Sequence, residues 1–258
     1  MTWRRRPEER ALSLFCSRKA HDLVGTAKGE GSVTIVRECF GTDHVKVPAI
    51  VLRQERPLAH AVVVHGYGGC KEEVLGLAWP IAEQGFTVAV IDLRGHGENR
   101  RLYDLNILDD VVAVVRHFNG LGPVVAVGHS LGGRLCLLSN ADYGIAISPA
   151  LAQTFSEVTV KLITTLRGHR VREVRSGVNF EALAALPKWD GKGQERSLVI
   201  YSPRDVPEVK ADCEELQRRG VHAELVDNSV HGDIFLNQRT FQIIRDQLAV
   251  WFPAGYST

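Results

Sequence analysis

Apolar and polar positions along this chain follow two different rhythms. Residues 32–40 and 45–53 are β-branched runs separated by Gly41-Thr42-Asp43, the pattern of two strands joined by a hairpin turn. Behind them come runs that are apolar throughout: Ala59-His60-Ala61-Val62-Val63-Val64-His65, then 86–92, Pro123-Val124-Val125-Ala126-Val127, 143–147, 197–201 and 222–226. Between these lie segments with helical spacing at 72–84, 105–118, 133–138, 212–219 and 239–251. Glu72 and Glu73 suit the positive end of the first of these helices, and Gly85 stops it. Strands that are apolar on both faces and alternate with helices predict a mostly parallel sheet covered on both sides, with an antiparallel hairpin at its front. Residues 7–24 carry apolar positions at mixed helical spacing and are expected to form a first helix or arm within 1–30. No internal repeat or Pro-, Gly- or Ser-rich linker divides the chain, so residues 1–258 read as a single α/β domain.

One stretch breaks the rhythm. The residues at about 150–192 are too many for a structureless loop. They include a basic run, Arg167-Gly168-His169-Arg170-Val171-Arg172-Glu173-Val174-Arg175. An insertion at the carboxyl edge of a parallel sheet is placed to cover a site there, and it is expected to form a small lid.

Charge and cysteine content narrow the function classes. The 31 Lys and Arg against 30 Asp and Glu leave a formal charge of +1, which gives no reason to expect a nucleic-acid partner. The 5 cysteines are scattered without C-x-x-C spacing, which argues against a disulfide framework or a zinc site and fits a reducing compartment. The basic start Met1-Thr2-Trp3-Arg4-Arg5-Arg6 is followed by Pro7-Glu8-Glu9-Arg10 rather than by an apolar segment, so neither a signal peptide nor a membrane span is expected. A cytoplasmic protein is the expectation; nothing in the pattern fixes its oligomeric state. Neither a G-x-x-x-x-G-K-[ST] phosphate loop nor an H-E-x-x-H metal motif is present, so neither cofactor nor metal is expected.

The candidate chemistry centres on Gly128-His129-Ser130-Leu131-Gly132, set between an apolar strand and the helix that begins near Gly133. A G-x-S-x-G in this context forms a strand-to-helix turn so sharp that the serine hydroxyl is held out and its neighbours must be glycines. A serine hydroxyl needs a base to take its proton, and the base needs a carboxylate to fix its tautomer. In this architecture the order along the chain is serine, acid, histidine. Asp205 follows the strand at 197–201, and His231 follows the last strand in Asn228-Ser229-Val230-His231-Gly232-Asp233. The competing histidines are His222, at the start of a strand, and His169, in the basic run; the competing acids are Glu208, Asp212 and Asp233. The carbonyl oxygen of a substrate would need two backbone N–H donors: Leu131, after the serine, and Tyr67, in the tight turn Gly66-Tyr67-Gly68-Gly69. His65 and the pair Asp92 and Arg94 are expected to hold their loops, Cys70 is expected to be structural, and Cys136 is expected to lie in the core.

With these pieces placed, residues 45–251 resemble the α/β-hydrolases of the serine-esterase and serine-aminopeptidase type. The resemblance is carried by His65-Gly66-Tyr67-Gly68-Gly69, Asp92-Leu93-Arg94-Gly95-His96-Gly97 and Gly128-His129-Ser130-Leu131-Gly132-Gly133. It implies the α/β-hydrolase fold and an acyl-enzyme route without metal or organic cofactor. It further implies Ser130 as nucleophile, His231 as base, Asp205 as orienting acid and a small-molecule acyl substrate. Two positions depart from the pattern: Asn99 stands where such proteins usually carry serine, and the acid loop begins Ser202-Pro203 rather than with glycine. Carboxylic ester hydrolysis is the leading expectation. Aminopeptidase or amidase action, thioester hydrolysis with Arg167, Arg170, Arg172 and Arg175 meeting a phosphorylated carrier, and a ligand-binding module without turnover remain alternatives.

Overall fold

A computed structural model describes residues 33–41, 45–191 and 193–253. The expected arm at 7–24 and most of the turn Gly41-Thr42-Asp43 lie outside the described residues. Among them, eight strands form one sheet: β1 (Thr34–Gly41), β2 (Lys46–Arg53), β3 (Ala59–Val64), β4 (Phe86–Ile91), β5 (Val124–His129), β6 (Tyr143–Ile147), β7 (Ser197–Tyr201) and β8 (Ala223–Leu225). Their order is β1-β2-β4-β3-β5-β6-β7-β8. β1 pairs with β2, and β2 with β4, antiparallel; every other pairing is parallel. The mostly parallel sheet with an antiparallel front is the architecture the apolar runs predict.

Strands β3, β4 and β5 are buried along their whole length because both faces are covered. Alternate residues of β3 serve opposite layers: Val62 and Val64 pack with α2 (Leu108–Asn119) and α3 (Leu131–Leu138), whereas Ala61 and Val63 pack with α1 (Leu75–Ala82) and α7 (Gln238–Trp251). Helix α2 buries Val111, Val114, Val115 and Phe118, an i, i+3, i+4, i+7 stripe, with Asp109 and Asp110 at its positive end. Helix starts differ from those the spacing predicts, and at two of them the local cause is plain. Lys71–Val74 forms a tight 3-10 turn before α1, because Lys71 is drawn onto Asp92 through both its backbone N–H and its ammonium. Helix α6 (Pro207–Arg218) starts upstream of residue 212, since a proline at the first helical position has no N–H to leave unpaired.

The insertion between β6 and β7 contains α4 (Glu157–Arg167) and α5 (Val178–Ala185). Ser156 caps α4 by accepting the Thr159 N–H at 3.3 Å. Both ends of the insertion converge on one side chain that the sequence did not single out. Arg134, wholly buried on α3, donates Nη1 to the carbonyls of Ala150 (3.1 Å) and Ala152 (3.0 Å), and Nη2 to those of Leu186 (3.0 Å) and Pro187 (3.3 Å). Burial lowers its pKa to about 10, against the opposing pull of the Asp212 carboxylate, so it stays cationic at neutral pH, hydrogen-bonded to four carbonyls. Arg134→Met keeps the bulk but leaves those carbonyls short of a donor. It is expected to destabilise the protein by about 3 kcal/mol, read as an earlier urea midpoint, and an unchanged midpoint would contradict this clamp.

Candidate active site

The six strands β3 to β8, which pair parallel, end at one edge of the sheet, and segments that leave them build a single site. Ser130 follows β5 with φ 55° and ψ −116°, a conformation that L-residues seldom adopt. The turn is this tight because the start of α3 passes directly over the end of β5. A Cβ on Gly128 would lie 2.3 Å from the Gly132 carbonyl, and one on Gly132 would lie 2.4 Å from Val64 O, so both positions must be glycine. The backbone is pinned on both sides: Ser130 N–H donates to Ile147 O of β6 at 2.9 Å, and Ser130 O accepts from Ala150 N at 3.1 Å.

The residues that sequence reading brings forward after β7 and β8 meet this serine. His231 Nε2 lies 3.0 Å from Ser130 Oγ, and its Nδ1 lies 2.6 Å from Asp205 Oδ1. The Asp205 side chain is fully buried while His231 is partly open. Burial alone would raise the Asp205 pKa. Its hydrogen bonds with His231, with the Ser148 hydroxyl and with the Val206 N–H outweigh that and hold it below the ordinary carboxylate value, so it is an anion at neutral pH. The carboxylate fixes Nδ1 as the protonated nitrogen and leaves Nε2 free to accept the serine proton. The alternatives lie elsewhere. His222 is exposed beside Glu224, Glu208 accepts from Ser156 and Thr159 at the start of α4, and Asp233 accepts from Val230 N. His169 sits in an exposed 3-10 turn, and Asp212 has a buried Oδ2 without a partner among the described residues.

Several neighbours act at one remove, and sequence reading missed them. Ser148, with φ 47° at the end of β6, gives its hydroxyl to Asp205 Oδ2. Ser202, in the place where glycine was expected, donates to Ser229 O and accepts from Arg204 N at 3.1 Å, tying the acid loop to the segment before His231. His129, the variable residue of the serine motif, donates Nε2–H to the His231 carbonyl at 2.7 Å. Ser148 carries no sequence signal, and although Ser202 stood out as a departure and His129 as part of the motif, what the three touch depends on a strand order that spacing does not reveal. Asn99, the other departure, donates to Asp92 O at 3.0 Å and helps close its own turn.

The turn after β3 is held by neutral histidines. His65 donates Nδ1–H to Gly66 O (2.7 Å) and accepts Leu93 N–H on Nε2 (3.2 Å). His96 donates Nδ1–H to Arg94 O (2.9 Å) and accepts Gly68 N–H (2.9 Å). Among the described residues the N–H groups of Tyr67 and Leu131 carry no hydrogen bond, and both residues line the cavity beside Ser130. Burial raises the Cys70 thiol pKa, with Glu72 and Glu73 adding to it, so the thiol is not activated. Arg94 donates to Asp110 and Asp104. Burial lowers His65 to about 4, His129 to about 3 with His231 contributing, and His96 to about 3 with His65 contributing. Because these folded values lie below the unfolded value near 6.5, the unfolded chain takes up more protons as the pH falls. Stability is therefore full above about pH 6.5 and lost as the pH drops towards the folded values, by about 2 kcal/mol for each of the three at pH 5. Thermal melts from pH 8 to pH 5 are expected to be level at first and then to fall steeply; a level line throughout would contradict the neutral assignment.

The cavity over Ser130 has a volume of about 580 Å³, within the range of small-molecule sites. Its walls are mainly apolar: Phe155, Leu162, Ile163 and Leu166 at and along α4, Leu183 of α5, and Phe235. The charged residues that line it are Glu73 and Arg167. Among the described residues no group of three His, Cys, Asp or Glu is arranged to hold a metal ion, and no helix is long and apolar enough to cross a membrane.

Comparison with known proteins gives a consistent frame. A Haemophilus influenzae protein named "Putative esterase/lipase" is 30% identical over 109 residues, which is 38% of this chain and 37% of that protein. The match thus spans little more than a third of that relative. Among solved structures, a CIB-like hydrolase from Thermoplasma acidophilum superposes with a TM-score of 0.58 at 16% identity, covering 84% of this chain and 98% of that one. A structure from a study of carboxylesterases of Nitrososphaera gargenis gives 0.60 at 17% identity, covering 82% and 98%. At such identities these two speak for the fold alone. The model described as "Alpha/beta hydrolase family" matches residues 61–248, from β3 to the last turns of α7, and over that length the chain belongs to the alpha/beta hydrolase family.

Proposed function

We propose that the protein is a serine hydrolase that cleaves a carboxylic ester of a small or medium acyl group through an acyl-enzyme. The observation that carries this reading is the unbroken hydrogen-bonded chain from Ser130 through His231 to the buried Asp205, opening onto an apolar cavity. Ser130 attacks the ester carbonyl as His231 takes its proton. The oxyanion rests on the amides of Tyr67 and Leu131, the latter at the positive end of α3. His231 then passes the proton to the departing alcohol. A water molecule, deprotonated by the same nitrogen, releases the acid and restores the serine. Asp205 stays ionised and holds the imidazole in place, as Ser148 and Ser202 hold Asp205 and its loop.

An aminopeptidase would need a carboxylate free to bind the substrate's amino group. Glu73 is the carboxylate among the lining residues, and it is paired with Arg170, which favours the ester reading. The test is labelling with a fluorophosphonate followed by mass spectrometry, alongside turnover of p-nitrophenyl esters. An adduct on Ser130 that His231→Ala abolishes, together with ester turnover, is expected. A folded protein that neither labels nor turns over esters would overturn the reading and favour a binding module.

A further inference from the structure

The polar groups facing the cavity are mostly committed to one another. The Tyr67 hydroxyl donates to Glu173, and Glu73 is paired with Arg170. Of the other arginines in the basic run, Arg172 donates to the carbonyls of residues 96, 97 and 99, and Arg175 pairs with Glu181. Arg167, the last residue of α4, differs. It lines the cavity, and its side-chain stem packs against Gly68 of the turn after β3. Among the described residues it has no carboxylate or carbonyl partner, and its positive charge adds, after burial and His231, to what keeps His129 neutral.

A second donor faces the same space. Asn179 of α5 is only 3% exposed and lines the cavity. Its Oδ1 accepts the hydroxyl of the wholly buried Tyr103 at 2.9 Å, and burial keeps that group a phenol. The amide is thereby oriented with its NH2 turned away from Tyr103, and among the described residues that NH2 makes no hydrogen bond, although it keeps some access to the cavity. Both groups lie around Tyr67: Gly168, next to Arg167, approaches the Tyr67 hydroxyl, and the Tyr67 ring meets Tyr103 edge-on at 5.8 Å. A half-buried cation and an amide donor that face an apolar-walled cavity, without protein acceptors among the described residues, are open to a ligand that supplies them.

We propose that Arg167 and Asn179 form a subsite for a carboxylate at the far end of the acyl group, so that the preferred substrates are half-esters of dicarboxylic acids. The proposal rests on the ester-hydrolase reading above. The guanidinium fork and the amide together offer planar donors that suit the two oxygens of a carboxylate. One cation balances one negative charge, whereas a phosphate monoester would bring nearly two. The carboxylate is unchanged in the reaction: the ester C–O bond breaks, water supplies OH to the acyl carbon and H to the leaving oxygen, and the apolar walls hold the methylenes between.

The test compares kcat/KM for mono-p-nitrophenyl adipate and p-nitrophenyl hexanoate, which have equal chain length, in wild type, Arg167→Gln, Arg167→Lys and Asn179→Asp. Asp at position 179 keeps an acceptor for Tyr103 but repels an anion. The wild type is expected to favour the adipate ester, with the preference ratio falling about tenfold or more in Arg167→Gln and Asn179→Asp and less in Arg167→Lys. Added salt should erode the wild-type ratio. A ratio at or below one that none of the variants changes overturns the subsite. Should neither ester turn over and Ser130 fail to label, the ester reading itself has failed. The subsite is then decided by calorimetric titration of adipate: binding that Arg167→Gln abolishes sustains it, and no binding to wild type ends it.

Discussion

Ser130→Ala is expected to lower ester turnover by about five to six orders of magnitude while leaving the fold in place. The hydroxyl is the group that would become bonded to the acyl carbon, and among the described residues no other hydroxyl or activated thiol is poised at His231 Nε2; Cys70, in the turn after β3, is held protonated. His231→Ala should be nearly as severe, and the double variant no worse than either, because the two act as a unit. Stability should move the other way in one substitution. Ser130 is held at φ 55°, a strain of about 1–3 kcal/mol that the neighbouring backbone enforces. Ser130→Gly removes both the nucleophile and the strain, so it should melt at or above the wild-type temperature while being inactive. Residual turnover in Ser130→Ala within tenfold of wild type would place the chemistry elsewhere. A Ser130→Gly variant less stable than the wild type would mean that the turn is not strained.

The sheet was legible because its strands are apolar on both faces, and the turn at Ser130 because it pairs a motif with a strand before it and a helix after it. Asp205 and His231 were found by position rather than composition: each follows a strand whose carboxyl end must reach the same edge. What spacing could not supply was strand order. β3 lies between β4 and β5 in the sheet, and only that order brings His65 beside Leu93 and Gly66 beside Ser130. The contributions of Ser148, Ser202 and His129 depend on such adjacency, as does the convergence of both ends of the insertion on Arg134. Charge patterning told only part of one story. Glu72 and Glu73 do stand in the first turn, as their charge suggested, but that turn is 3-10, and they also pair with Lys71 and Arg170. The basic run read as one feature and divides into three engaged arginines and Arg167 at the cavity. Helix α6 shows a further limit, since its first turn depends on proline chemistry rather than on hydrophobic periodicity.

Asp92→Ala is expected to give the largest combined loss of stability and activity outside the serine chain itself. Asp92 is wholly buried at the end of β4 and accepts from Lys71 Nζ at 2.6 Å, Lys71 N at 2.9 Å and Glu98 N at 2.8 Å. It thereby fastens the segment after β3, which carries Tyr67, to the turn that carries His96. Lys71 is buried too, and although Glu72 and Glu98 lie at 3.0 and 3.1 Å, both are largely open to solvent. Removing Asp92 strands a buried cation and two backbone donors, a loss of about 3–5 kcal/mol, or roughly 10 °C in Tm. The turn after β3 then loses an anchor, and a misplaced Tyr67 amide should lower kcat by about tenfold to a hundredfold. Lys71→Met/Asp92→Leu separates the two contributions. Removing both charges should restore part of the stability, since an apolar pair can replace a buried ion pair, but the N–H groups of Lys71 and Glu98 remain unpaired and kcat stays low. Full recovery of both Tm and kcat in the double variant would show that Asp92 serves only to neutralise Lys71. No recovery of Tm would show that the backbone bonds account for the whole effect.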